Sequence, residues 1–106
     1  MKQFIPQRSI EYNDNRISRF IAQYGKCGVT GGELSFNDWH CHHKTPYHLS
    51  QDDSYGNLII VHESVHRLIH LKDLVKIKVL MNVLNLDKKQ LKKLNELREQ
   101  CLNEAI

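Results

Sequence analysis

The histidines of this 106-residue chain are concentrated in one third of its length, and imidazole is both a metal ligand and a proton acceptor near neutral pH. All seven lie within residues 40–70. The stretch "VHESVHRLIH" contains two pairs with the spacing of one helical turn, His62 with His66 and His66 with His70. Either pair is typical of a divalent metal site on a helix.

The first pair belongs to the pattern H-E-x-x-H, which is typical of zinc proteases, with Glu63 as general base. Three features weaken this interpretation. The preceding "GNLIIV" predicts a turn and a strand, so a helix that starts at residue 63 does not align His62 with His66. No H-x-x-G-x-x-H continuation follows, and "HCHH" stays unexplained. His62, His66 and His70 together cannot bind one ion, because the outer two lie roughly 12 Å apart on a helix.

The second pair favours a nuclease. On the helix predicted for "ESVHRLIHL", His66 and His70 share one face about 6 Å apart. His42, at the end of a strand predicted in "FNDWHCHH", is the candidate third ligand, and its neighbour His43 is suited to act as a general base. Strict strand alternation would place these two side chains on opposite faces, although both belong to the predicted site. We therefore expect a local irregularity of the backbone at the strand end, near Pro46.

Hydrophobic periodicity and capping signals predict the remaining elements. "LIIV" at 58–61 predicts the second strand of a hairpin, after a polar loop. A helix at 74–84 is capped by Asp73, and a capping box from Asp87 to Gln90 opens a helix at 88–104. The apolar stripe of this last helix is Leu91, Leu94, Leu97 and Cys101, and its solvated face is Lys88, Lys89, Lys92 and Lys93.

An N-terminal helix is predicted in "NDNRISRFIAQYG", after a loose lead-in over residues 1–12. Asn13 or Asp14 is its expected cap and Gly25 its stop, and its apolar face is Ile17, Phe20, Ile21 and Tyr24. Trp39 is expected in the core, and Cys41 as a small buried residue. The fold class that follows is α+β, a single domain over 1–106 in which a β-hairpin packs on a helix, with an N-terminal helix and two C-terminal helices.

Composition limits the classes of partner. Residues 57–106 hold nine basic and six acidic side chains, which supplies the whole net charge of +3 and permits contact with nucleic acid. No apolar run is long enough for a membrane span and no signal peptide is evident, so we expect a cytoplasmic protein. The three cysteines form no C-x-x-C pair, which disfavours a disulfide framework. His40, His48, Lys44 and Arg67 flank the predicted site as solvated side chains or as contacts to DNA.

The spacing of these residues resembles a known family. "WHCHH", then Asn57 fourteen residues after His43, then His66 and His70, is similar to the HNH nuclease motif, whose core has the ββα-metal (His-Me finger) fold. Over roughly residues 12–100, "DNRISRFIAQYGKCGVTG", "HCHHKTP", "DSYGNLIIVHESVHRLIH" and "LKKLNELR" resemble the C-terminal endonuclease domain of group II intron-encoded reverse transcriptase/maturases.

The resemblance implies a metal-dependent endonuclease that acts on DNA, with its ββα-metal core at 39–70 and its C-terminal helices at 73–104. His43 would be the catalytic base, Asn57 would hold the loop that aims it, and His42, His66 and His70 would bind one divalent ion. The family uses Mg²⁺ or Mn²⁺ for turnover, whereas three imidazoles also suit Zn²⁺ or Ni²⁺. Intron RNA and a reverse transcriptase/maturase are expected partners if the chain is an excised domain.

The sequence departs from the family at a structural zinc site, which is separate from the catalytic ion. The family often has two C-x-x-C pairs there, and this chain has Cys27 with Thr30 and His62 with Val65. We therefore expect that Cys27 and His62 are the remnants of a lost structural zinc site and that packing replaces it. Two other functions stay open, a non-catalytic, zinc-stabilised nucleic-acid-binding module and the H-E-x-x-H protease.

Overall fold

A computed structural model describes residues 9–35 and 37–106 of the chain. The described part has the α+β composition predicted from the sequence. None of its helices reaches the length and apolarity that crossing a bilayer demands. The elements are α1 (Ile10–Ala22), β1 (Trp39–His43), α2 (Tyr47–Ser50), a 3₁₀ turn (Tyr55–Asn57), β2 (Leu58–His62), α3 (Glu63–His70), α4 (Leu74–Leu84) and α5 (Lys88–Gln100).

The two strands form the predicted antiparallel hairpin. Trp39 pairs with His62 at one end and His43 with Leu58 at the other, so β1 is regular through its last residue. The connection between the strands, predicted as a polar loop, contains α2 and the 3₁₀ turn. Because this connection starts directly after His43, its conformation decides what surrounds that side chain.

The core lies between the hairpin and the three C-terminal helices. Val65, Leu68 and Ile69 form the buried face of α3, as the pattern of "ESVHRLIHL" predicts. The predicted apolar stripe of α5 is confirmed, since Leu94 and Leu97 are buried in the same cluster while the four lysines are exposed. One side of α3 is therefore committed to the core, and its other side carries His66 and His70.

The caps of α4 and α5 agree with the sequence. Asp73 accepts hydrogen bonds from the backbone N–H groups of Val75 and Lys76. Asp87 and Gln90 form the complete capping box, with both reciprocal hydrogen bonds present. The end of α5 differs from the prediction, because the helix stops at Gln100 instead of 104, and Cys101 is the first residue beyond it.

The N-terminal helix begins earlier than predicted, and the face that it buries is different. Ser9 caps it through its side chain, in place of Asn13 or Asp14, so residues 10–12 are helical and are not part of a loose lead-in. Residues 1–8 of that predicted lead-in lie outside the described part of the chain. The predicted apolar face is confirmed only in part: Ile17 and Phe20 are half-buried and Phe20 contacts Trp39, whereas Ile21 is 58% exposed and Tyr24 is 86% exposed.

Polar and aromatic side chains form the buried face of α1. Tyr12, Asn13 and Arg16 are buried, and the Arg16 guanidinium lies 4.7 Å from the ring centre of Trp39. Trp39 itself is in the interior, as predicted. Periodicity of apolar residues could not find this face, because its contacts with β1 are cation–π and ring-stacking interactions.

A buried arginine joins α5 to the end of α3. Arg98 is 2% exposed, and its guanidinium donates hydrogen bonds to the carbonyl oxygens of Leu68, Leu71 and Glu104. The last carbonyls of a helix have no partner within the helix, so a buried helix end needs an outside donor. Arg98 supplies it and thereby fixes the turn of α3 that carries His70.

Candidate active site

Alternate residues of β1 face opposite sides of the hairpin. His40 and His42 lie against α3, where the ring of His40 stacks on that of His66 at 4.9 Å. Trp39 and His43 face α1, where His43 stacks on Tyr12 at 5.6 Å. The expected irregularity at the strand end is therefore absent, and His42 and His43 have opposite orientations because the pleat continues through both.

The three histidines predicted as metal ligands are brought together. The ring centres of His42 and His66 are 5.4 Å apart, those of His42 and His70 are 5.2 Å apart, and those of His66 and His70 are 4.8 Å apart. Two of the rings come from one turn of α3 and the third from β1, which is the arrangement expected from the sequence spacing.

A cysteine that the sequence placed in the core also belongs to this group. The Sγ of Cys101 lies 3.7 Å from Nε2 of His42. Within residues 9–35 and 37–106, the set whose potential ligand atoms all lie within 4.8 Å of one another is His42, His70 and Cys101. His66 is outside that set and lies between His40 and the other two. No motif spacing could have found Cys101, since it follows His42 by 59 residues.

Burial and mutual proximity keep these imidazoles neutral. Burial lowers the pKa of His42 to about 3 and that of His66 to about 4, and neighbouring imidazoles add to both effects. Burial, followed by the nearby Arg98, also lowers the pKa of His70. A metal ion binds the neutral form of imidazole, so at neutral pH no proton competes with it. The donor set thus fits a divalent ion.

These pKa shifts predict that the metal-free protein loses stability in mild acid. His42 is 2% exposed, and its pKa in the fold lies below the value near 6.5 that it has in the unfolded chain. The unfolded state therefore binds more protons below that value, so this contribution is fully present above about pH 6.5 and is lost as the pH falls towards 3. For His42 alone, the free energy of unfolding should be about 2 kcal/mol lower at about pH 5 than at about pH 7.5.

Urea unfolding in the presence of a chelator measures this difference. A free energy of unfolding that is flat between these two pH values would contradict the neutral, buried state of His42.

His43 has a different environment from the metal cluster. Its Nε2 lies 2.7 Å from Oδ1 of Asp53, and both side chains are largely buried. A carboxylate oxygen accepts hydrogen bonds, so Nε2 is the ring nitrogen directed at Asp53 and Nδ1 is the ring nitrogen left for another partner. The ring is also held by Tyr12 on one side and by Tyr47 at 5.5 Å. Sequence reasoning missed Asp53, because nothing in "SQDDSYGN" distinguishes it from a solvated loop carboxylate.

Asn57 joins the two ends of the connection between the strands. Its Oδ1 accepts from the N–H of Thr45, and its Nδ2 donates to the carbonyl oxygens of Thr45 and Asp52. The segment that follows His43 and the segment that precedes Asp53 are thus tied to one buried amide. This geometry lets Asn57 position both members of the His43–Asp53 pair.

One cleft of about 530 Å³ connects the two environments. His42, His66 and His70 line it, and so does His43 at the end of the strand. Cys41, which is half-buried, and the exposed His48 also line this cleft. A group in the cleft would therefore meet the neutral imidazole cluster on one side and His43 on the other.

The remaining predicted site residues lie around this cleft. Arg67 is 63% exposed and pairs with Glu63 at 3.5 Å, and the exposed His40 lies beside it in an adjoining shallow pocket. Lys44 is half-buried and lines a different pocket, next to α5. Of these side chains, Arg67 and His40 share a pocket with His66 and His70.

His62 does not share a helix with His66. It is the N-cap of α3, where its Nδ1 accepts a hydrogen bond from the N–H of Ser64 and its Nε2 lies 3.5 Å from Asp38. The prediction that α3 starts at residue 63 is confirmed, so the H-E-x-x-H alignment is absent. The backbone N–H of His62 donates to Sγ of the buried Cys27 at 3.4 Å, next to Val65 in the core.

Comparison of the chain with protein-family models, with curated proteins and with solved structures gives no match. The chemistry of the cleft is therefore inferred from the positions of its own side chains.

Proposed function

We propose that this protein is a metal-dependent HNH endonuclease that hydrolyses phosphodiester bonds of DNA, and that β1, β2 and α3 form its ββα-metal core. The observation that carries the proposal is that one cleft is lined both by the cluster of neutral imidazoles and by His43, a histidine fixed by a carboxylate. His42, His66 and His70 are the residues that would hold the ion. When bound, a divalent cation supplies stabilisation of the negative charge that develops on the phosphate.

His43 is the general base that removes a proton from the attacking water. With Nε2–H directed at Asp53, the lone pair of Nδ1 is the group that accepts a proton from water. The water oxygen then forms a bond to phosphorus, and the bond from phosphorus to the 3′ oxygen breaks, so that the 3′ oxygen leaves with the electron pair and takes a proton from solvent. The products are a 3′-hydroxyl and a 5′-phosphate, as expected of an enzyme that prepares a primer end.

Agarose-gel analysis of supercoiled plasmid tests the activity. The protein should convert it to the open-circular form with at least one of Mg²⁺, Mn²⁺, Zn²⁺ and Ni²⁺, and a chelator should stop the reaction. No conversion with any of these ions, over protein concentrations that retard the same DNA in a gel, would reject the proposal. The sequence resembles the endonuclease domain of proteins encoded by mobile group II introns. If the protein acts as they do, intron RNA and a reverse transcriptase/maturase would be its partners, and it would act in the cytoplasm.

Asp53 is a positioning residue, because it acts through His43. Replacing Asp53 with asparagine removes the charge that holds the Nε2–H tautomer, so kcat for nicking should fall roughly tenfold or more with KM unchanged. Asp52 is the matched control, since its exposed carboxylate accepts a hydrogen bond from the N–H of Ser54 and not from the His43 ring. Equal kcat values for the two variants would show that Asp53 has no part in orienting the base.

One observation favours a second candidate, a zinc-stabilised nucleic-acid-binding module without catalysis. A set of His42, His70 and Cys101 has the donor atoms of structural zinc sites. Such a module has no use for His43, whose ring lines the cleft and is held by Asp53. If nicking is absent while the protein binds zinc and DNA, the second candidate replaces the first.

A further inference from the structure

The end of α5 brings a thiol to the imidazole cluster. Cys101 follows the last residue of the helix, and its Sγ lies 3.7 Å from Nε2 of His42 and 3.7 Å from the carbonyl oxygen of Lys44. It is half-buried and lines the same cleft as His42 and His70. Polar atoms on two sides distinguish this thiol from that of Cys27, which is enclosed in the core.

The separation between the sulfur and the imidazole nitrogen matches that of two ligands on one ion. Nitrogen and sulfur ligands bind Zn²⁺ at about 2.0 and 2.3 Å, so in a tetrahedral site they lie about 3.5 Å from each other. The distance of 3.7 Å between Cys101 and His42 needs little adjustment, and the ligand atom of His70 is within 4.8 Å of both.

We propose that Cys101 is a metal ligand, and that together with His42 and His70 it makes the site select thiophilic divalent ions such as Zn²⁺ and Co²⁺ over Mg²⁺. The inference deepens the metal-binding part of the proposed function and does not depend on DNA hydrolysis. Two imidazoles and one thiolate are softer donors than three imidazoles, which sets the direction of this selectivity. The thiol loses its proton to solvent when it binds the ion.

His66 is then the residue that decides whether the site is closed. Its ring lies 4.8 Å from that of His70 and 5.4 Å from that of His42, close enough to become a fourth ligand after a small movement. Four protein ligands are typical of structural zinc sites, whereas three leave a position for a substrate oxygen. The stacking of His66 on His40 favours the open, three-ligand arrangement.

Cobalt absorption spectroscopy tests the ligand directly. Co²⁺ bound to a thiolate has a sulfur-to-metal charge-transfer absorption in the near ultraviolet, which imidazole ligands do not produce. Titration of the full chain with Co²⁺ should give this band, and Cys101→Ser should lose it while retaining Co²⁺ bound to histidine. Cys41→Ser is the matched control and should keep the band, since Cys41 lines the same cleft but is outside the ligand set.

Protection from alkylation tests the same ligand without a variant. In the wild-type chain, Zn²⁺ should slow modification of Cys101 by iodoacetamide by roughly tenfold or more, as peptide mapping by mass spectrometry measures, because a coordinated thiolate is shielded. The rate at Cys41 should not change. This measurement stands even if Cys101→Ser does not fold.

Two results would overturn the inference. One is bound Co²⁺ in the wild-type chain with no charge-transfer band, and the other is a band that persists in Cys101→Ser. Either leaves a histidine-only site, and with it the proposed nuclease, intact. Absence of any Co²⁺ or Zn²⁺ binding would instead remove the site for thiophilic ions, whereas nicking with Mg²⁺ or Mn²⁺ would still support the proposed nuclease.

Discussion

Replacing His43 with alanine should lower the rate of plasmid nicking by about 10²–10⁴-fold, because this is the usual contribution of a positioned general base. The loss should appear in kcat. Metal affinity, measured by calorimetry, should not change, because His43 faces α1 while the ligand cluster faces α3. Binding of DNA should also be retained, since the His43 side chain is largely buried and is held by Asp53.

His48→Ala is the control for this variant. His48 is exposed on α2 and lines the same cleft, yet the structure gives it no contact with the cluster. Its replacement should leave kcat within about twofold of the wild-type value, which is small against the expected contribution of a base. Nicking that survives in His43→Ala would remove the mechanism, and nicking lost equally in both variants would assign the effect to the cleft surface.

The largest expected loss of stability comes from Arg98→Met. Methionine fills much of the space of arginine but donates no hydrogen bond, so the carbonyl oxygens of Leu68, Leu71 and Glu104 lose their guanidinium donor. A buried carbonyl left without a partner costs about 1–3 kcal/mol. This applies most fully to Leu68, since Leu71 also accepts from Asn103 and Glu104 is exposed, so we expect a loss of about 2–3 kcal/mol in urea unfolding. Affinity for the metal ion should fall as well, because the end of α3 holds His70.

Arg67→Ala is the matched arginine control. Arg67 is 63% exposed, and it pairs at 3.5 Å with Glu63, which lies one turn earlier on α3. Exposed pairs of this kind contribute less than about 1 kcal/mol, so the free energy of unfolding should change little. Equal destabilisation by the two substitutions would show that the buried hydrogen bonds of Arg98 do not anchor α3.

Local sequence signals predicted the elements that carry the ligands. The signals that predict helix starts and the second strand are local. They are the Asp73 cap, the Asp87–Gln90 capping box and the β-branched run before His62, and each involves residues close together in the sequence. The spacing of His66 and His70 likewise fixes their shared face. For these residues, the geometry depends on one helix or one strand and needs no knowledge of the fold.

The side chains that complete the site depend on contacts between distant segments. Asp53 reaches His43 because Asn57 ties together the two ends of the connection, and Cys101 reaches His42 because α5 stops at Gln100. The buried face of α1 was misjudged for the same reason. Its partners belong to the hairpin, and a scale of apolar residues assigns no value to cation–π or ring-stacking contacts.

An ion shared by His42 and Cys101 would join two parts of the chain that are 59 residues apart. None of the three cysteines in the described chain is in a disulfide, so no covalent cross-link performs this task. In the chain-entropy description, closing a loop of that length restricts the unfolded chain by the equivalent of about 4 kcal/mol. The bound ion would thus form a reversible cross-link between the hairpin and α5, and unfolding of the last turn of α5 would release the ion.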